Sequence, residues 1–216
     1  MFYMRCDKKD LLLYGVTDRS WLGDRTLAQQ VEASLRGGAT MIQLREKHMD
    51  RGSILAQALE LRELCGRYGV PLILNDDAEL AQAAGADGVH VGQSDMEAGR
   101  VRALLGEDKL IGVSARTVEQ ALAAQAAGAD YLGVGAMFPT GTKQDTRPVS
   151  YDTLKAICAA VDIPVVAIGG IGAGNVAELA GSGIAGVAVV SALYAQPDVE
   201  AATRSLRAQV ERVVGP

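Results

Sequence analysis

The sequence has few of the residues that would mark several large classes of protein. Only three of its 216 residues are cysteines, and Cys6, Cys65 and Cys158 are too widely spaced to predict a disulfide framework or a metal cluster. A reducing cytoplasm is therefore the expected location. No run of about 18 apolar residues is present, so no transmembrane helix is expected. The N-terminus also lacks the apolar segment of a signal peptide.

The sequence also has no excess of positive charge and few histidines. The net charge is −5, which argues against general affinity for nucleic acid. The chain has two histidines, His48 and His90, and neither has an obvious nucleophile nearby, so no catalytic triad is predicted. His90 lies inside an apolar run and is interpreted as a core or cavity-lining residue. Neither nucleic acid nor a membrane is expected as a partner.

What the sequence does have is a regular alternation of two kinds of segment. Short apolar runs, rich in β-branched residues, occur at 11–16, 40–44, 71–74, 88–91, 110–113, 131–135, 164–168 and 185–190. Helix-like segments follow them at 27–36, 54–68, 78–83, 97–105, 118–127, 151–160, 173–180 and 199–213. This alternation predicts parallel strands that are covered by helices.

Eight strand–helix units predict the α/β class and a single (β/α)₈ TIM barrel, whose active site lies at the carboxyl ends of the strands. The phrase Ala-Ala-Gly-Ala-Asp occurs at 83–87 and again at 126–130, each time before a strand. One domain is expected over 1–216, with a barrel core at 9–215 and an N-terminal extension at 1–8. An open doubly wound sheet is the alternative, but its glycine fingerprint after the first strand is missing.

The loop after the sixth strand is rich in groups that bind anions. It reads Pro-Thr-Gly-Thr-Lys at 139–143, so the hydroxyls of Thr140 and Thr142 and the ammonium of Lys143 follow a strand end. These groups predict a phosphate site. The loop around them is polar and contains Gly141, which makes it a candidate lid.

The second strand ends in a run of charged residues. Side chains alternate along a strand, so Gln43, Arg45 and Lys47 share one side and Glu46 points to the other. If the first side faces the barrel mouth, two cations and an amide converge there, and arginine and lysine together hold phosphate oxygens well. A solvated surface run is the alternative interpretation.

Acidic residues follow the third and fourth strands. Asp77 precedes a helical segment and fits the role of an N-cap, which leaves Asp76 without a structural explanation. Asp95 either caps the helix that begins near Glu97 or joins Asp76, because a barrel places consecutive loops side by side. Two carboxylates beside a phosphate are typical of a Mg²⁺ site.

Small and polar residues end the remaining strands. Ser114, after the fifth strand, can donate a hydrogen bond to an anion. Gly169 and Gly170 follow the seventh strand, and Val190 and Ser191 follow the eighth. Loops at these two places are a frequent phosphate site in TIM barrels, and backbone amides there bind phosphate without side chains. Glycines that serve only a tight turn are the alternative.

Read in order, these segments resemble the thiamine-phosphate synthase family. The resemblance runs through 14–18, 43–47, 75–77, 90–95, 112–114, 139–143 and 168–171. It implies a TIM barrel that joins 4-amino-5-hydroxymethyl-2-methylpyrimidine diphosphate to 4-methyl-5-(2-hydroxyethyl)thiazole phosphate and releases pyrophosphate. The implied path is dissociative and is assisted by Mg²⁺.

The resemblance also implies a role for each matching residue. The pyrimidine diphosphate would be held by Gln43 at the ring and, at the phosphates, by Arg45, Lys47, Asn75, Lys143 and Ser114. Of these, Arg45, Lys47, Lys143 and Ser114 would act on the leaving group. Mg²⁺ would be bound by Asp76 and Asp95. The thiazole phosphate would be bound by Thr140, Thr142, Gly169 or Gly170, Val190 and Ser191.

Three other functions compete with this interpretation. A tautomerase-like relative would bind thiazole phosphate without a diphosphate substrate, and it would not need both acids and the full set of cations. A non-catalytic barrel would bind a phosphorylated ligand without turnover. A sugar-phosphate isomerase would require an acid–base pair at the strand ends. The expected partners are small phosphorylated substrates, with a homodimer as the one protein association left open.

Overall fold

The computed structural model describes residues 6–141 and 148–215, and within them the chain forms a closed barrel of eight parallel strands. The strands follow one another around the barrel in sequence order, and β1 pairs with β8 to close it. The predicted TIM barrel is therefore confirmed. The strands are β1 Leu13–Val16, β2 Met41–Leu44, β3 Leu72–Asn75, β4 Gly88–Val91, β5 Leu110–Ala115, β6 Tyr131–Val134, β7 Val165–Ile168 and β8 Gly186–Val189.

Eight α-helices surround this barrel in the described ranges. They are α1 Leu27–Gly37, α2 Arg51–Tyr68, α3 Ala78–Ala84, α4 Ala98–Leu105, α5 Val118–Ala126, α6 Tyr151–Ala160, α7 Ser191–Tyr194 and α8 Val199–Val214. Most begin at a side-chain cap; Thr26, for example, forms a reciprocal capping box with Gln29 at the start of α1. Several end at a left-handed glycine, such as Gly69 after α2.

One predicted helix is wrong. The segment 173–180 forms only a short 3₁₀ helix, Val176–Leu179, and the barrel instead gains the four-residue helix α7 after β8. Glycines at 172, 174 and 181 flank the 3₁₀ turn, and glycine is a poor helix former. The first predicted strand also begins two residues late, because Lys8–Leu11 form a 3₁₀ helix before it.

The alternation of side chains along the strands divides the apolar residues between two cores. Residues that face outward, such as Leu13 and Ile42, pack against the helices in the larger core. Residues that face inward, such as Tyr14, Met41 and Tyr131, fill the barrel interior. Because successive strand residues point to opposite faces, one strand serves both cores. Polar residues that share the inward register therefore point into the barrel.

The repeated Ala-Ala-Gly-Ala-Asp phrase closes the turns at the amino ends of two strands. The carboxylate of Asp87 accepts a hydrogen bond from the Leu72 amide at 2.8 Å, and that of Asp130 accepts one from the Ile111 amide at 2.8 Å. Arg102 also pairs with Asp130, at 2.6 Å. The repeat thus stabilises the end of the barrel opposite the predicted site.

In the part of the chain that the structure describes, no helix is both long enough and apolar enough to cross a membrane. The assignment of 9–215 to a barrel core and of 1–8 to an N-terminal extension stays a prediction.

Candidate active site

A cavity of about 620 Å³ opens at the carboxyl ends of the strands. Its volume lies in the range of ~300–1,000 Å³ that is usual for small-molecule sites. Every strand contributes to its wall, through Tyr14, Gln43, Asn75, His90, Ser114, Gly133, Ile168 and Ala188. The location agrees with the position of active sites in TIM barrels.

Most of the predicted site residues meet in this cavity. Those that line it are Gln43, Arg45, Lys47, Asn75, Asp76, Asp95, Ser114, Thr140 and Gly169. Gly170, Val190 and Ser191 are not among the lining residues; Gly170 adjoins the lining residue Gly169, and Val190 and Ser191 follow the lining residue Ala188 after Val189. Thr142 and Lys143 lie outside the described residues, as does most of the predicted lid.

The end of β2 follows the predicted alternation. Gln43, Arg45 and Lys47 all line the cavity, whereas Glu46 points away and forms an ion pair with Arg19 at 2.7 Å. Burial raises the pKa of Glu46, and the positive charge of Arg19 offsets this only in part. In the run at 43–47, alternate residues therefore line the cavity, and Glu46 instead binds Arg19 outside it.

The loop after β1 holds Arg45 from behind. The hydroxyl of Thr17 accepts a hydrogen bond from the Arg45 amide at 3.0 Å, and the Arg45 guanidinium lies 3.7 Å from the Asp18 carboxylate. Together with the Arg19–Glu46 pair, these contacts fasten two adjacent loops to each other. Arg45 is thereby oriented before any ligand arrives.

The acids after β3 have different roles, as predicted. Asp77 caps α3 by accepting a hydrogen bond from the Leu80 amide, whereas Asp76 turns into the cavity. Asp76 is the single non-glycine residue with a positive φ, 65°, in the described ranges. Asparagine and aspartate tolerate this conformation better than most residues, but it is still uncommon. Its carboxylate forms an ion pair with Lys47 at 2.9 Å.

Asp95 also belongs to the cavity and does not cap a helix. Glu97 caps α4, while Asp95 accepts a hydrogen bond from the Gly92 amide at 2.7 Å. The Asp95 and Asp76 carboxyl groups also lie close enough together to shift each other's pKa. Of the two interpretations of Asp95, the structure agrees with its meeting Asp76.

The contact between the two carboxyl groups perturbs both of them. Partial desolvation and the negative charge of Asp76 raise the pKa of Asp95, although the Gly92 amide acts in the opposite direction. Burial alone would raise the pKa of Asp76 too, but the hydrogen bond and charge of Lys47 outweigh burial, so its pKa is lowered. Two carboxylates this close need a shared proton or a cation between them.

The two acids fit a hard divalent cation that keeps part of its water shell. Within residues 6–141 and 148–215 no group of three or more His, Cys, Asp or Glu side chains lies together in a way that could hold a metal. A cation here would therefore have two protein carboxylates and take its other ligands from water and from phosphate. Mg²⁺ commonly binds in this way.

A hydrogen-bonded chain of side chains crosses the cavity floor, and the sequence analysis missed its middle members. Gln43 and Ser114 were predicted site residues, and His90 was interpreted as a core or lining residue, which the structure confirms. The expectation that His90 has no nucleophile nearby is wrong, because Ser114 Oγ lies 2.9 Å from its Nε2. Tyr14 and Tyr131 connect them inside the barrel. Their position in the inward register of β1 and β6 was the available signal. Arg116 and Gln120 also line the cavity and were not predicted.

The loops after β7 and β6 press closely against each other. A Cβ on Gly169 would lie 2.6 Å from Ala136 atoms, and one on Gly170 would lie 2.5 Å from the carbonyl oxygen of Pro139. Both glycines also have positive φ, 98° and 64°. Close packing therefore accounts for both of them. Their predicted contact with phosphate stays a prediction.

Comparison with known proteins agrees with this geometry. Residues 13–193 match the TMP-TENI family, described as thiamine monophosphate synthase. A thiamine-phosphate synthase of Ruminiclostridium cellulolyticum is 48% identical over 92% of this chain and 95% of its own. One from Chloroflexus aurantiacus is 50% identical over 93% of each chain. A solved thiamine phosphate pyrophosphorylase of Pyrococcus furiosus superposes with a TM-score of 0.89 at 38% identity, covering 96% of this chain and 99% of that one. The chain belongs to the thiamine monophosphate synthase family.

Proposed function

We propose that this protein is a thiamine-phosphate synthase, a transferase that joins the pyrimidine diphosphate to the thiazole phosphate and releases pyrophosphate. The observation that carries this proposal is the meeting of two cations with two contacting carboxylates at the mouth of one cavity. Arg45 and Lys47 supply the cations, and Asp76 and Asp95 supply the acids. A diphosphate with a divalent cation needs this combination of charges, and family membership identifies the substrates.

The pyrimidine diphosphate binds along the wall formed by β2, β3 and β5. Gln43 contacts the pyrimidine ring at the buried end of the cavity, where its side chain is only 5% exposed. Arg45 and Lys47 hold the diphosphate oxygens, with Asn75 and Ser114 as neutral hydrogen-bonding groups beside them. Lys143, from the loop after β6, completes the set. Arg45 is suited to this role because Asp18 and Thr17 already hold it.

Asp76 and Asp95 would hold Mg²⁺ between the protein and the diphosphate. The ion would supply positive charge to the departing pyrophosphate. Lys47, which pairs with Asp76 at 2.9 Å, exchanges this partner for the incoming diphosphate. The positive φ of Asp76 and the Gly92 amide on Asp95 keep the two carboxyl groups directed at the same point.

The thiazole phosphate binds on the opposite wall of the cavity. Its phosphate is held by Thr140 and Thr142 from the loop after β6, by Gly169 or Gly170 after β7, and by Val190 and Ser191 after β8. The contact between the β6 and β7 loops supports this grouping, because the Phe138 amide donates to the Gly169 carbonyl oxygen at 3.0 Å. Val190 would contribute through its backbone, so its side chain is not critical.

The proposed chemistry needs charge stabilisation more than proton transfer. The C–O bond between the pyrimidine's methylene carbon and the diphosphate breaks, and the electron pair leaves on the diphosphate oxygen. The electron-rich aminopyrimidine ring stabilises the resulting cation, and the lone pair of the thiazole nitrogen then forms the new C–N bond. The nitrogen loses no proton, so no general base is required. Arg45, Lys47, Lys143 and Ser114 act on the leaving group.

We place this reaction in the cytoplasm. Cys6, Cys65 and Cys158 are free thiols, and Cys6 and Cys65 are buried, which suits a reducing compartment. A homodimer is compatible with the proposal.

Pyrophosphate release from the purified protein tests the proposal. We expect release only when both substrates and Mg²⁺ are present, and we expect a chelator to abolish it. Thiazole-phosphate isomerisation without pyrophosphate would instead indicate the tautomerase-like activity. Ligand-induced stabilisation without any turnover would indicate a non-catalytic binding barrel. Either of these two results would contradict the proposed function.

A further inference from the structure

Five side chains form one continuous chain of hydrogen bonds beneath the cavity. Gln43 Nε2 donates to Tyr14 Oη at 2.7 Å, and Tyr14 Oη lies 2.9 Å from Tyr131 Oη. Tyr131 Oη lies 3.2 Å from His90 Nδ1, and His90 Nε2 lies 2.9 Å from Ser114 Oγ. The chain begins at a predicted pyrimidine contact and ends at a predicted diphosphate contact, and residues with no assigned role connect them.

The middle of this chain is sealed from water. Tyr14 is 1% exposed and Tyr131 is 0% exposed. Burial raises the pKa of both hydroxyls, so each keeps its proton at neutral pH. Each hydroxyl therefore has one proton to donate, and leaving it without an acceptor in the interior would cost ~1–3 kcal/mol.

Two glycines, Gly112 and Gly133, leave the space that the rings of Tyr131 and His90 occupy. A Cβ on Gly112 would lie 2.2 Å from the Tyr131 ring and 2.4 Å from His90 Nδ1, and one on Gly133 would lie 3.0 Å from the His90 ring. Any larger residue at position 112 would push the rings apart. The two rings lie 5.5 Å apart between centroids. The contact between Tyr131 and His90 is therefore part of the barrel's packing.

Counting protons gives the chain a direction. Because Gln43 donates to Tyr14, the Tyr14 proton goes to Tyr131, and the Tyr131 proton goes to His90 Nδ1. A neutral His90 then carries its proton on Nε2 and donates it to Ser114 Oγ. Two groups are left for the cavity, the Gln43 carbonyl oxygen as an acceptor and the Ser114 hydroxyl as a donor.

We propose that Tyr14, Tyr131 and His90 are positioning residues that couple the hydrogen-bonding direction of Gln43 to that of Ser114. When Gln43 presents an acceptor to the cavity, Ser114 presents a donor. Given the proposed function, this coupling selects a pyrimidine with an exocyclic amino group over one with an oxo group in the same place. An amino group donates to the Gln43 oxygen, and Ser114 then donates to the leaving diphosphate.

An oxo group would reverse the whole chain. It requires a donor, so the Gln43 amide would turn over and accept from Tyr14. Each proton would then move to its other neighbour: Tyr131 would donate to Tyr14, His90 Nδ1 to Tyr131, and Ser114 to His90 Nε2. Ser114 would no longer donate to the diphosphate. The wrong ring is thereby penalised twice, once in binding and once in the departure of the leaving group.

Nitrogen NMR of histidine tests the direction in the unliganded protein and does not depend on any activity. The chain has only two histidines, so labelling histidine with ¹⁵N gives two imidazoles, and His48→Gln assigns them. We expect His90 to be neutral with its proton on Nε2. A proton on Nδ1, or on both nitrogens, would overturn the proposal.

Kinetics with two substrates tests the coupling. The wild-type protein should prefer the amino-pyrimidine diphosphate to its oxo analogue by at least ~100-fold in kcat/KM, because a site built to bind an N–H group rejects an analogue without it. Tyr131→Phe breaks the chain, so Gln43 can turn without affecting Ser114. We expect the difference in kcat between the two substrates to shrink by about tenfold in Tyr131→Phe, while the difference in KM remains.

Tyr194→Phe is the matched control, because Tyr194 is also fully buried and its hydroxyl bonds to Ser34, away from the chain. It should keep the wild-type discrimination in kcat. Tyr14→Phe breaks the same chain one bond earlier and replaces Tyr131→Phe if that variant does not fold. If Tyr131→Phe and Tyr14→Phe both keep the wild-type ratio of kcat between the amino and the oxo substrate, the proposal is overturned. Absence of any pyrophosphate release by the wild type would refute the proposed function, and the NMR measurement would still decide the direction of the chain.

Discussion

The two ends of the barrel use aspartate in opposite ways. At the amino end of the strands, Asp87 and Asp130 each accept a hydrogen bond from a backbone amide, and Asp130 is also paired with Arg102. At the carboxyl end, Asp76 and Asp95 lie side by side in the wall of the cavity. The first pair is satisfied within the fold. The second pair is held in a like-charge contact that a ligand can relieve.

This difference shows how a residue type acquires a function from its surroundings. Arg102 spans the carbonyl oxygens of Gly106, Lys109 and Gly128 as well as Asp130, so its charge is used to close turns. Lys47 has a partly exposed side chain and a single carboxylate partner among the described residues. We therefore expect stability to depend on the first end and activity on the second. Four substitutions test this division, from the largest expected effect to the smallest.

Asp130→Ala should cause the largest loss of stability. The substitution leaves the largely buried Arg102 without its carboxylate and the Ile111 amide without its side-chain acceptor. Breaking a buried ion pair from one side costs ~3–5 kcal/mol in the free energy of unfolding. Urea unfolding measures this loss. Turnover per folded molecule should not change, and a loss below ~1 kcal/mol would contradict the stabilising role of this end.

Asp76→Asn should lower turnover by at least ~100-fold while changing the free energy of unfolding little. Asparagine tolerates the left-handed backbone at this position, so the change removes charge and leaves the loop in place. Pyrophosphate release as a function of Mg²⁺ concentration measures the effect. Asp77→Asn is the matched control, since asparagine caps a helix as well as aspartate does. Similar losses in the two neighbours would contradict the metal assignment.

Lys143→Ala should lower turnover by at least ~10-fold, because it removes a positive charge that acts on the leaving diphosphate. This residue lies outside the described residues, so the expectation rests on the family resemblance. Lys155→Ala, on the exposed side of α6, removes the same charge elsewhere and should have no effect. Near-normal turnover of Lys143→Ala would remove this residue from the leaving-group site.

Asp87→Ala should have the smallest effect, about 1 kcal/mol in the free energy of unfolding. Its carboxylate accepts the Leu72 amide, as Asp130 accepts the Ile111 amide, but Asp87 is exposed and water can replace it. Thermal unfolding of Asp87→Ala and Asp130→Ala under the same conditions compares the two losses of stability. Equal losses in the two variants would show that the repeated phrase, and not burial, determines the contribution.

Much of the site could be predicted because it lies at the ends of strands. The alternation at 43–47 placed Gln43, Arg45 and Lys47 on one side and Glu46 on the other, as the structure has it. The helix at 173–180 could not be predicted correctly, because its alanines favour a helix that its glycines prevent. The role of Asp95 also stayed open, since a cap and a cavity residue look alike in one dimension.

The sequence by itself determined the barrel, because local periodicity and turn residues specify the eight strands and most of the helices from a few neighbours. It also determined which strand ends carry charge. The tertiary structure alone decided which of those side chains meet. Tyr14 and Tyr131 are 117 positions apart, yet their hydroxyls lie within 2.9 Å. Such contacts depend on barrel closure and on the space left by Gly112, which no local pattern encodes.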